Sequence, residues 1–251
     1  MRPPTSPPLR LVLFDMDDTI FDHMLTCRAA IERVRAEEPQ LMALPTDRLW
    51  KEYLVLLDTM YPKLSAAHEE YGRFRAERFR RLAQLSGWEI DLPYATEISL
   101  RYRAHYQKLR RPVPGAPEFV RRMARRTRVG IVTNNEYSEQ EEKLRFLGLD
   151  GVIDPLVVSA KEQVAKPDPR IYGIALARAG VEATETVMIG DSWKNDVLGA
   201  RSAGIRPVWF NRFALARPSR HRAEEIRSFR PSAPVEAILR GRNSRARGMH
   251  D

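Results

Sequence analysis

The 251-residue chain carries one cysteine, Cys27, so no internal disulfide can form and the composition fits a reducing, cytoplasmic compartment. It has no apolar run approaching the roughly 18 residues of a membrane-spanning helix, which predicts no membrane partner. The start, Met1-Arg2-Pro3-Pro4-Thr5-Ser6-Pro7-Pro8, lacks the apolar stretch of a secretory signal and reads as a flexible, Pro-rich leader. No internal repeat is present. What the chain does have is length. A protein of this size buries roughly 70–75% of its unfolded surface, enough for one large domain or for one domain carrying an insertion.

The formal charge of +9 is unevenly placed. Between Asn211 and Asp251, ten Arg and no Lys face only Glu224, Glu225, Glu236 and Asp251, which puts +6 of the total there. A nucleic-acid partner would rest almost wholly on this stretch, whose end, Arg240 to Gly248, reads as disordered. A solvated Arg-rich tail is the simpler reading, so no nucleic-acid partner is expected.

Leu11-Val12-Leu13-Phe14 reads as a buried strand, yet it runs straight into Asp15-Met16-Asp17-Asp18-Thr19. Residues two apart on an extended chain project to the same side, so Asp15 and Asp17 would crowd like charges at the strand end. At about 4 Å and an effective dielectric near 20, such a pair costs roughly 4 kcal/mol. A cation relieves that cost, and hard carboxylate oxygens select Mg²⁺.

From about Asp22 to Arg110 the pattern turns helical. Leu49, Tyr53, Leu56 and Met60 mark one apolar face, and Ile98, Tyr102, Tyr106 and Leu109 another. Between them, Leu64, Ala67, Tyr71 and Phe74 lead to Phe79, Leu82 and Leu85. Pro39, Pro45, Pro62 and Pro93 read as breaks between about four helices. After Pro112-Val113-Pro114-Gly115 the pattern alternates. Helices are expected over 116–127, over 138–147 with a Ser138/Glu141 capping box, from the Asp168 N-cap to about Ala179, and over 195–203. Strands are expected over 129–132, 156–158, 186–189 and, last, 207–210. This predicts an α/β fold, a doubly wound parallel sheet with an inserted α-helical bundle. The expected divisions are a Rossmann-like core of 1–21 and 111–211, a helical cap of 22–110, and a partly disordered tail of 212–251.

Ligands of such sheets bind beyond the carboxyl ends of the strands. Those ends carry Asp15, Asp17 and Thr19, then Thr133, Asn134 and Asn135. Lys166 precedes the Asp168-capped helix, and Gly190-Asp191-Ser192 with Asn195-Asp196 closes the set. Taken singly, Thr133 is an ordinary turn residue, Lys166 a surface lysine and Asp191 a helix cap. Gathered at one sheet edge, they form an Mg²⁺ and phosphate site.

The ordered motifs D-x-D-x-T, strand-T-N, K-P-D and G-D-S-x-x-N-D resemble the haloacid dehalogenase-like phosphohydrolases. The spacings of 118 residues from Asp15 to Thr133, 33 on to Lys166 and 25 on to Asp191 resemble the subgroup with a helical cap after the first motif. The resemblance implies that Asp15 is the nucleophile forming an aspartyl-phosphate, and Asp17 the general acid/base. It implies metal contacts from Asp15, Asp191 and the Asp17 backbone carbonyl, with Asp196 and Thr19 in support. Thr133 and the Asn134 backbone N–H would bind the phosphoryl oxygens, and Lys166 would neutralise their charge. Asp18 is left structural, and Asp168 is read as a helix cap. His23, Cys27 and Arg28 lie where specificity could arise but read first as packed or solvated helix residues, as do His68 and His105. Tyr53, Tyr71 and Phe74 read as bundle core.

The expected activity is an Mg²⁺-dependent phosphatase, monomeric or weakly dimeric, acting on a small phosphorylated metabolite of the nucleotide or sugar phosphate class. A phosphomutase of the same fold and a non-catalytic phospho-ligand-binding module stand as alternatives. Asp17 argues against a dehalogenase, which has no leaving oxygen to protonate.

Overall fold

The computed structural model describes residues 8–64 and 71–239. The leader up to Pro7, His68 and the Arg240–Gly248 stretch lie outside the described residues. Two compact units emerge, one made of the chain up to Phe21 and from Pro112 onward, the other of Asp22–Arg111.

In the first unit, strand β1 (Leu11–Phe14) is followed, after the second unit, by β2 (Arg128–Thr133), β3 (Leu156–Val158), β4 (Thr186–Gly190), β5 (Arg206–Phe210) and β6 (Glu224–Ile226). All pair in parallel, in the order β3-β2-β1-β4-β5-β6. The sheet therefore grows in opposite directions from β1, and the crevice at that reversal is where an open α/β sheet binds its ligand. Both faces are covered, which is why β1 is apolar throughout and fully buried.

The second unit contains helices α1 (His23–Glu37), α2 (Thr46–Leu64), α3 (Tyr71–Leu85) and α4 (Leu92–Lys108), with a short 3₁₀ turn at Pro39–Ala43. Asp22 and Asp91 cap α1 and α4, accepting from Leu25 N and Tyr94 N. Leu49, Tyr53, Leu56 and Met60 of α2 are buried, as the spacing predicts. Two expectations fail here. Pro62 lies inside the last turn of α2 instead of ending it. Leu85 is 43% exposed and Phe74 only half-buried, because α3 turns Ala76, Phe79, Leu82 and Ala83 inward instead.

The remaining helices belong to the first unit: α5 (Ala116–Ala124), α6 (Tyr137–Leu147), α7 (Ser159–Glu162), α8 (Pro169–Ala179), α9 (Gly199–Ser202) and α10 (Ser232–Leu239). Leu11, Leu13, Val132, Val157 and Met188 pack with Ile171, Tyr172 and Ala175 of α8 on one sheet face. Phe14 meets Phe119 of α5 and Phe229 on the other. The Ser138/Glu141 capping box does not form: Glu136 is the N-cap of α6, and its side chain makes no capping bond. The helix expected over 195–203 divides into a π-helical turn, Trp193–Leu198, and α9.

The expected tail needs the largest correction. Residues 212–239 contribute β6, which pairs with β5, and α10. Phe229, 1% exposed, stacks against Phe210 at 4.7 Å and Phe119 at 5.2 Å. Arg206 binds the Ile238 and Leu239 carbonyls that end α10. Burying a Phe is worth about 1.5–3 kcal/mol, enough to hold a short segment on the sheet despite its charge. No described helix is long and apolar enough to cross a membrane.

Candidate active site

The β1 ladder continues one residue past Phe14, because Asp15 N donates to Ile189 O of β4 at 2.9 Å. This fixes Asp15 at the reversal of the sheet. The chain then turns sharply: Asp18 adopts φ 59°, and Ile20 N and Phe21 N both donate to Met16 O. Asp tolerates this left-handed conformation better than most residues, which gives Asp18 its structural role. The turn brings the buried Thr19 hydroxyl to Asp191, whose backbone N–H donates to it at 3.1 Å.

Asp191 follows β4, and its carbonyl accepts from Trp209 Nε1 at 2.8 Å. Asp196 sits in the π-helical turn, with Ser192 N donating to its Oδ2 at 2.9 Å. Gly190 makes this approach possible, since a Cβ there would overlap the Asp196 carboxylate. Asp15, Asp191 and Asp196 thereby each offer an oxygen within 4.8 Å of the others. The sequence places Asp196 in a supporting position; here its carboxylate belongs to the cluster itself. π-turns are frequent at functional sites, and this one supplies the approach.

Lys166, 5% exposed, donates to Asp15 Oδ1 and to Asp196 Oδ1, each at 2.6 Å. Asn134 delivers it: its Nδ2 donates to Lys166 O at 2.9 Å, and its Oδ1 accepts from Lys166 N at 2.8 Å. Sequence reasoning assigned Asn134 only a backbone role and missed this clamp. Thr133 ends β2 and is buried. Asp168 caps α8, as its sequence context predicts.

Burial pushes the Asp15 carboxyl up to about 7; Lys166 opposes the shift while Asp196 and Asp17 reinforce it. Burial, followed by the charges of Asp15 and Asp196, raises Asp191 well above the usual carboxylate range. Three carboxylates against one ammonium leave an excess of negative charge in a dry place. That donor set of hard oxygens fits a divalent cation such as Mg²⁺.

The Asp17 side chain is held elsewhere. Lys143 Nζ donates to both of its oxygens, at 2.7 and 3.0 Å, and Asn135 Nδ2 donates to Oδ2 at 3.2 Å. Lys143 was missed because its sequence signal, a Glu139–Lys143 spacing of four, is that of an ordinary surface pair.

The other candidates are accounted for within the helical unit. His23 Nδ1 lies 2.8 Å from the Tyr106 hydroxyl, Cys27 is buried, and Arg28 pairs with Asp47 and Glu32. His105 pairs with Glu37 at 2.6 Å.

A family model described as haloacid dehalogenase-like hydrolase matches residues 9–204. The chain is 31% identical over 208 residues to a glyceraldehyde 3-phosphate phosphatase of Pyrococcus abyssi, covering 80% of this chain and 81% of that protein. It is 30% identical over 228 residues to a phosphoserine phosphatase of Thermus thermophilus, covering 81% and 89%. Among solved structures, the HAD-hydrolase YfnB of Bacillus subtilis bound to magnesium shares the fold with a TM-score of 0.74 at 23% identity, covering 93% of this chain and 99% of that one.

Proposed function

The chain belongs to the haloacid dehalogenase-like hydrolases, and we propose that within them it is an Mg²⁺-dependent phosphatase of a small phosphorylated metabolite, working through an aspartyl-phosphate on Asp15. One observation carries the reading: Lys166 Nζ lies 2.6 Å from both Asp15 and Asp196, inside a cluster completed by Asp191. The surplus of carboxylate over ammonium suits a divalent cation, and that cation together with Lys166 suits a phosphate; the names of the two phosphatase relatives support small phosphomonoesters as the substrate class.

In this reading an Asp15 oxygen bonds to phosphorus as the bond from phosphorus to the substrate's ester oxygen breaks. A protonated Asp17, its other oxygen still accepting from Lys143, gives its proton to that departing oxygen. Water then attacks the phosphorus, its proton passes to Asp17, and the bond to Asp15 breaks, releasing phosphate and restoring both carboxyl groups. The Thr133 hydroxyl and the Asn134 backbone N–H bind the transferring oxygens, and Lys166 neutralises their charge. Asp15 and Asp191, with the Asp17 carbonyl and with Asp196 beside them, would hold Mg²⁺; bound there, the ion supplies the positive charge that keeps Asp15 ionised near the phosphate. A nucleotide or sugar phosphate is the substrate class in view. The lone, buried Cys27 supports a reducing cytoplasmic setting, with the protein a monomer or weak homodimer.

The test is phosphate release across a panel of phosphorylated metabolites, with Mg²⁺ and after exhaustive EDTA. At least one small phosphomonoester should turn over, stop with EDTA and recover with added Mg²⁺. Full turnover in EDTA, or an isomerised ester in place of free phosphate, would overturn the reading.

A further inference from the structure

The proposed reaction makes no use of Lys143, although its surroundings are unusual. Its side chain is 1% exposed, its ammonium reaches both oxygens of Asp17, and Glu139, one helical turn earlier on α6, braces it at 3.1 Å. The Phe21 ring lies 5.2 Å from the ammonium. An isolated ammonium is costly to bury, and an apolar side chain would fill the same space without that cost. The two carboxylates of the D-x-D motif are thus each gripped by their own buried lysine, Asp15 by Lys166 and Asp17 by Lys143.

The backbone gives Asp17 a reason to need a tether. Asp15 is locked into the sheet ladder through its N–H, whereas Asp17 lies in the turn whose next residue is left-handed. Side-chain orientation there draws on side-chain contacts, one from Lys143 of α6 and one from Asn135 in the turn just before that helix.

We propose that Lys143 is a positioning residue that, with Asn135, fixes the Asp17 carboxyl in the orientation from which it serves the leaving oxygen. This rests on the assignment of Asp17 as acid/base. A misoriented acid penalises poor leaving groups, which need protonation, far more than good ones, which do not.

The experiment compares kcat/KM for p-nitrophenyl phosphate and for an alkyl phosphate in Lys143→Gln, Lys143→Arg and Asp17→Asn. This parameter ends at transfer to Asp15, so the later hydrolysis does not enter it. For Lys143→Gln the expected loss is about tenfold or more with the alkyl ester and below about threefold with the aryl ester. Lys143→Arg, which keeps the cation, should hold the ratio of the two within about threefold of the parent. Structural damage alone would lower both substrates equally. Should Lys143→Gln show an equal loss or none, while Asp17→Asn discriminates between the esters, the role of Lys143 is overturned and that of Asp17 stands. Should Asp17→Asn itself not discriminate, the acid/base assignment falls. If Lys143→Gln does not fold, Asn135→Ala reads the same ratio, expected to move in the same direction; an unmoved ratio overturns the proposal.

Discussion

The two units treat buried charge in opposite ways. In the helical unit, buried polar groups close upon one another. Glu38 meets Arg101 and the Tyr94 hydroxyl. Arg78 donates to the Tyr53 hydroxyl at 2.7 Å, which lies 2.9 Å from that of Tyr102, which in turn donates to Cys27 Sγ at 3.2 Å. Arg35 Nε and Arg78 Nε are the nitrogens there without a partner among the described residues. In the α/β unit, three carboxylates cluster at the end of β1, and the one ammonium there binds two of them, Asp15 and Asp196. An unbalanced buried charge costs several kcal/mol; Arg101 cancels Glu38, while the buried Arg78 guanidinium is met by hydroxyl and thiol groups and by no carboxylate among the described residues. An excess of one sign that persists in a folded protein marks where a ligand of the other sign belongs.

The sharpest way to break this contrast is Asp15→Asn. Turnover should fall by roughly four orders of magnitude or more, as for loss of a nucleophile. The melting temperature measured in EDTA should hold or rise, since one of three crowded like charges is gone. A variant that keeps turnover, or that melts much earlier, would show that Asp15 serves the fold instead of the chemistry.

A smaller effect is expected from pH in the metal-free protein. The Asp15 carboxyl is raised from 3.8 to about 7 in the folded state, so folding favours its protonated form. That stabilisation is complete below about pH 4 and is lost as pH rises through 7, amounting to up to about 4 kcal/mol for this group. Denaturant melts at pH 5 and pH 7.5, with and without Mg²⁺, check this: the loss at the higher pH should shrink when Mg²⁺ is present. A slope of opposite sign, or one unmoved by Mg²⁺, would count against the cation site.

Least affected should be Tyr94→Phe in the helical unit. Glu38 keeps Arg101, so the loss should be about 0.5–1.5 kcal/mol by thermal melting. Phosphate release should stay within about twofold of the parent, as for a change remote from the reacting groups. A large loss of activity would mean that this unit's polar network is not merely structural.

Much of the architecture was legible because its signals are local. A β-branched or apolar run ending on a carboxylate announces β1 and Asp15, and Asp168-Pro169 announces the start of α8. The failures share a cause as well. β6 is two glutamates and one isoleucine, with no periodicity to read, and only its pairing with β5 and the burial of Phe229 reveal it. Ser138 lost its capping role because α6 begins at Tyr137, a residue before the pattern suggests. Lys143 resembled a solvated lysine because its neighbour in space, Asp17, is 126 residues away.

The sequence by itself determined which chemical groups stand at strand ends, since a strand's own residues dictate where it starts, stops and exposes a polar side chain. Tertiary structure alone decided which of those groups meet. β1 lies between β2 and β4, so residues more than a hundred positions apart share one edge, and the π-turn with Gly190 draws Asp196 into contact with Lys166. Local pattern carries no information about pairing across such spans. That is settled by the sheet order that buries the most apolar surface, and the choice of partner for each charge follows from it.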